Sequence, residues 1–101
     1  MGMSQPYVVV VAHLAAKPGC EEALKAVLLS LVGPTRTEEG CLLYDLHQGI
    51  AEPARFVFYE NWASQEALNE HLGSEHLRGT VGKATDLMDG QPSIVTYWKI
   101  T

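Results

Sequence analysis

The stretch "FVFYENWASQEALNEHL", Phe56 to Leu72, changes its period in the middle, and that change decides the fold. In its first half Phe56, Phe58, Glu60 and Trp62 share one parity, while Val57, Tyr59 and Asn61, with Arg55 just before them, share the other. Alternation of this kind belongs to a strand whose two faces meet different surroundings. The second half repeats at three and four instead, so that Ala67, Leu68, His71 and Leu72 form one stripe of a helix. Ser64 stands where an N-cap belongs, and Glu66 falls in the first turn, where a negative charge suits the helix dipole. A strand that feeds directly into an amphipathic helix sets two packed layers. The more apolar parity of the strand, the one holding Glu60 and Trp62, is expected to face the helices.

The rest of the chain extends this pattern on both sides. "YVVVVAHL" (Tyr7–Leu14) is a β-rich run that is apolar on both parities, as a strand covered on both faces would be. After "KPG", Glu21 and Glu22 open a helix whose stripe is Leu24, Val27, Leu28, Leu31 and Val32. Gly33 and Pro34 are expected to end or kink it. "CLLYDLHQ" then reads as a strand with Leu42, Tyr44 and Leu46 on one parity and His47 on the other, followed by the turn-forming "GIAEPA". Beyond the deciding stretch, Gly73 and Ser74 interrupt the helix and a second piece runs from Glu75 toward Met88. "DGQP" makes a turn, and "SIVTYWKI" is the last strand.

The order is βαββαβ, with no linker, repeat or low-complexity segment, and residues 1–101 read as one domain. The expected fold is α+β and ferredoxin-like: a four-stranded antiparallel sheet with two helices on one face. That arrangement leaves the other face bare. With Val8, Val10 and Leu14 on one parity of the first strand and Val9 and Val11 on the other, a bare face would be a large apolar patch. A homodimer joined sheet to sheet follows as the expectation.

Composition narrows the function classes. Hydrophobic residues make up 47% and charged residues 19% of the chain, which suits a folded domain rather than a disordered one. The net charge of −5, with seven scattered basic residues, offers no footprint for nucleic acid or anionic lipid. "VVVVAHLAA" is too short to span a bilayer, and Pro6 occupies the position where a myristoylation signal beginning at Gly2 needs Ser or Thr. Cys20 and Cys41 lack a Cys-x-x-Cys spacing and fit a reduced, cytoplasmic setting.

Three residues carry potential chemistry where aliphatics would pack more simply. Glu60 is a carboxylate beside a hydrophobic layer, where desolvation raises its pKa unless a donor or cation compensates. Trp62 offers a broad apolar surface and an N–H in need of a partner. His71, in the helix stripe, is a potential acid or base near neutral pH, and His76 follows near the start of the next helical piece. Each also has a plain reading: a satisfied core histidine, a packed indole, a carboxylate paired with a cation or an amide. A metal site from His47, His71 and His76 lacks a helical spacing such as His-x-x-x-His. No phosphate loop, nucleophile elbow or Rossmann fingerprint is present.

The stretches "KPGCEEAL", "EEGCLLYDLHQ" and "FVFYENWASQEALNEHLGSEHL", with the closing strand, resemble the antibiotic biosynthesis monooxygenase (ABM) domains. The most specific piece is "YENWASQEALNEHLGSEHL", with Glu60, Trp62, Ser64, Ala67, Leu68, His71, Leu72 and His76 in the family's pattern. The resemblance implies a dimeric α+β barrel that oxygenates an electron-rich phenol or quinol with O₂, without metal, flavin or haem. It further implies that Trp62 lines the ring site, that His71 or Glu60 takes or orients the phenolic proton, and that His76 helps at the pocket mouth. Phe58, Tyr44 and Leu72 are the expected further contacts to a small aromatic substrate. Relatives that degrade haem use a strand-one Asn and an axial His where this chain has Ala12 and about Val81, and a Trp where it has His71. Haem degradation is therefore disfavoured. A relative that isomerises a phosphorylated ketone would need a phosphate site, for which Arg36, Arg55, Arg78 and Lys83 are the available cations. A small-ligand-binding domain without catalysis is the third class.

Overall fold

The apolar first strand lies inside the sheet, where its composition belongs: β1 (Val8–Ala15) is hydrogen-bonded along both edges. The computed structural model describes residues 7–101, so the reading of Gly2 and Pro6 falls outside it. β1 pairs antiparallel with β3 (Arg55–Trp62) and with β4 (Ser93–Trp98), and β3 pairs antiparallel with β2 (Cys41–Gln48). The sheet order β2-β3-β1-β4 is the ferredoxin-like one expected from the order of elements.

Each of the two expected helices is built in two pieces. The first comprises α1 (Glu21–Leu29) and the short α2 (Val32–Arg36). Gly33 and Pro34 were expected to end or kink this helix, and it is indeed interrupted beside them. The break falls at Ser30 and Leu31 because the Pro34 ring excludes the carbonyl four residues back, that of Ser30. Pro34 itself sits in the first turn of α2, where an N–H has no helical partner to lose. The second pair is α3 (Gln65–Leu72) and α4 (Glu75–Ala84), continued by one 3₁₀ turn at Thr85–Leu87. Ser64 caps α3 by accepting from the Ala67 N–H at 3.1 Å, and Ser74 caps α4 through Leu77.

Burial in β3 alternates strictly, with Phe56, Phe58, Glu60 and Trp62 inside. They pack with Val8, Val10, Ala12 and Tyr44 from the sheet and with Leu24, Leu28, Leu31 and Leu68 from the helices. Leu42 departs from the expected parity. The register shifts between Cys41 and Leu43, so Leu42 is the extra residue of a bulge and lies 55% exposed instead of beside Tyr44. On the opposite face Val11 pairs with Tyr59 and Val95, and Val9 with Asn61 and Tyr97. This face holds half-buried valines and exposed Tyr59, Val95 and Tyr97. β4 is exposed along its whole length. Among the described residues no helix is long and apolar enough to cross a membrane.

Candidate functional site

Between the sheet and the helices opens a cavity of about 410 Å³, the size of a small-molecule site. Val10, Ala12, Phe58, Leu68 and Leu72 supply apolar wall, and Tyr44, Glu60 and His71 are its ionisable members. Among the described residues no Lys or Arg lines it.

Glu60 and Trp62 lie two apart on one strand, hence on one face, and that spacing lets the Trp62 Nε1–H donate to Glu60 Oε1 at 2.8 Å. Glu60 is only 5% exposed. Burial pushes its carboxyl up to about 7; the Trp62 hydrogen bond opposes this and the nearby Glu38 charge adds to it. The Tyr44 phenol is pushed up by burial and by Glu60, so it stays protonated near neutral pH.

His71 closes the group. Its ring stacks on Trp62 with centroids 4.6 Å apart and meets Tyr44 edge-on at 5.5 Å. Nδ1 lies 2.7 Å from Glu38 Oε2. A carboxylate oxygen accepts, which places the ring proton on Nδ1 and leaves the lone pair on Nε2. Burial draws the His71 pKa down, against the pull of Glu38, and this favours the neutral ring.

Glu38 is the residue that sequence reasoning missed, since it lies in the short aperiodic segment 37–40 between α2 and β2. The structural reason lies at Gly40. Its φ of +86° is in the left-handed region, and a Cβ built there would lie 2.5 Å from the Ala67 Cβ. The loop thus approaches α3 more closely than any other residue would allow. The Ala63 N–H donates to the Gly40 carbonyl at 2.8 Å and fixes the approach. Glu38 is thereby carried to His71, and the same Oε2 lies 2.8 Å from His76 Nε2.

Of the expected site residues, Glu60, His71, Tyr44, Phe58 and Leu72 line the cavity. Trp62 does not. Its exposure is 0%, and it lies behind the wall, holding Glu60 and His71, because β3 ends beneath α3 at that point. His76 is not at the cavity mouth either; the break before α4 turns it onto Glu38. His47 is exposed on the other sheet face, so the trio His47, His71 and His76 does not assemble. Arg36 is engaged with Asp45 and the Tyr44 carbonyl and Arg55 with Glu52, and neither they nor Arg78 and Lys83 reach the wall. Ala12 and Val81, at the positions of the haem-degrading pair, do line the cavity, with side chains that cannot ligate iron.

Comparison with known proteins identifies the family and the fold. The family model described as antibiotic biosynthesis monooxygenase matches residues 7–83, a span that contains Tyr44, Glu60, His71 and Glu38. The chain is 40% identical over 74 residues to "Putative monooxygenase Rv0793" of Mycobacterium tuberculosis, covering 73% of this chain and 71% of that one. It is 32% identical over 88 residues to "Putative monooxygenase YcnE" of Bacillus subtilis, covering 87% and 93%. The crystal structure of PA3566 from Pseudomonas aeruginosa superposes with a TM-score of 0.88 at 35% identity, over 99% of this chain and 100% of that one. Sequence and architecture thus meet over one span, and the chain belongs to the antibiotic biosynthesis monooxygenase family.

Proposed function

We propose that the cavity takes a flat, uncharged, electron-rich phenol or quinol and promotes its oxygenation by O₂, with Glu60 or His71 receiving the phenolic proton. The observation that carries this reading is the wall itself. It is apolar, it holds a carboxyl poised near 7 and an imidazole with a free lone pair, and it holds no cation. Deprotonation makes a quinol a far better reductant of O₂. The quinol then supplies all four electrons: two as it becomes a quinone, and two as a ring C–H becomes C–OH. One oxygen atom enters the ring, and the other leaves as water with the two quinol protons. The protein's share is to bind, to hold the proton at Glu60 or His71, and to exclude solvent. Trp62 contributes from behind by orienting both groups.

The absence of a cation on the wall argues against a phosphorylated ketone, since a buried phosphate without a partner is strongly disfavoured. The apolar sheet face centred on Val11, Tyr59 and Val95 is the surface on which a second copy would dock, making the working unit a homodimer. The two free cysteines, both half-buried, suit a cytoplasmic setting.

Oxygen uptake by metal-free protein with a neutral naphthoquinol, and with its sulfonated counterpart, tests the reading. Uptake above autoxidation is expected for the neutral quinol alone, with loss in Glu60→Gln or His71→Ala. Wild-type uptake equal to autoxidation for every neutral quinol tried would refute catalysis and leave a binding domain.

A further inference from the structure

We propose that Glu38, His71 and His76 form a binding site for one divalent transition-metal ion, Zn²⁺ being the best fit, behind the cavity wall and separate from the substrate space. Their donor atoms, a carboxylate oxygen and two imidazole nitrogens, lie within 4.8 Å of one another. Two imidazoles and one carboxylate are a sufficient protein set for zinc, with the fourth position left to solvent.

The backbone brings these three together by unusual means. His71 closes α3 and His76 lies in the first turn of α4. On an unbroken helix, residues five apart point about 140° away from each other. The break at Gly73 and Ser74 removes that divergence: Ser74 caps α4 and donates its hydroxyl to the His71 carbonyl at 2.7 Å. The Gly40–Ala67 approach supplies Glu38 from the other side.

The spacing also suits an ion. Glu38 Oε2 lies 2.7 Å from His71 Nδ1 and 2.8 Å from His76 Nε2, contacts now bridged by ring protons. Bonds of about 2.0–2.1 Å in a tetrahedral site separate ligands by about 3.3 Å. The carboxylate therefore needs to withdraw by about half an ångström from each ring, and the two ring nitrogens, which lie within 4.8 Å of each other, need to close to the same spacing, a movement for the more exposed His76 ring to make by side-chain rotation. An ion would take the place of the two protons. The His71 side chain is 3% exposed and anchors the site, whereas those of Glu38 at 16% and His76 at 28% leave an entry path.

Occupancy has a consequence that rests on the proposed function, as the site itself does not. With Nδ1 on the ion, the neutral His71 ring carries its proton on Nε2 and can no longer accept one from substrate.

The test is calorimetric titration of metal-free protein with Zn²⁺ near neutral pH, together with Co²⁺ titration followed by its visible spectrum. Wild type, Glu38→Gln, His76→Asn and His47→Ala are compared, with circular dichroism and thermal melting to verify each fold. One ion per chain is expected, with the bands of a four-coordinate Co²⁺ site. Affinity should fall at least about tenfold in Glu38→Gln and His76→Asn and stay unchanged in His47→Ala. No saturable binding by the wild type, or equal affinity in all four proteins, overturns the site. Binding that leaves quinol-dependent uptake untouched overturns only the coupling to turnover.

Discussion

In the Glu60→Gln variant, the stability difference from wild type is expected to change by about 3 kcal/mol across the pH range in which Glu60 titrates. The magnitude follows from burial. The carboxyl moves from its ordinary 4.5 to about 7 on folding, and each tenfold change in proton affinity is worth about 1.4 kcal/mol. Because the folded state holds this proton more tightly than the unfolded chain, the contribution is fully present below 4.5 and is lost as pH rises through about 7. This is the reverse of an ordinary salt-bridged carboxylate. Gln has no proton to lose, and its amide oxygen still accepts the Trp62 N–H. The variant should therefore gain on the wild type as pH rises. Urea unfolding at fixed protein concentration, followed by tryptophan fluorescence in steps from about pH 4.5 to about pH 8.5, gives the difference directly. A flat difference, or one of opposite slope, would refute the claim that Glu60 is a desolvated carboxyl.

Three further outcomes follow from the same geometry. Trp62→Phe removes the donor that restrains the Glu60 shift, so the pH midpoint of oxygen uptake should move upward; an unchanged midpoint would exclude Glu60 as the titrating base. Gly40→Ala meets both a left-handed φ and the Ala67 side chain, and should lower stability by about 1–3 kcal/mol in urea unfolding. Val11→Asp puts a charge at the centre of the open sheet face and should convert a dimer to a single chain in sedimentation; a wild type that sediments as one chain would remove the docking proposal.

The order of elements was legible because period two and period 3.6 do not resemble each other over eight residues or more, and β3 with α3 shows both in succession. Parity also placed Glu60 and Trp62 toward the helices. It did not tell wall from backing, since depth along a strand depends on what crosses above it, and α3 crosses above Trp62. Leu42 was misplaced because a bulge adds one residue without any change of composition. Glu38 was out of reach for a different reason. Nothing in so short a loop marks a carboxylate as the partner of a histidine 33 positions later. Only the packing of Gly40 on Ala67 does so, and that contact exists in three dimensions alone.

The joint between α3 and α4 gives the molecule two separately adjustable parts. Within a continuous helix, each added or deleted residue turns everything downstream by about 100°. At a joint where the second helix has its own cap, such a change can be absorbed locally, as in a hinge with slack. Variation in length at Gly73 and Ser74 would re-aim His76 while His71 kept its stack on Trp62. Descendants of this chain could thus rebuild the outer cluster, or abandon it, without disturbing the inner wall of the cavity.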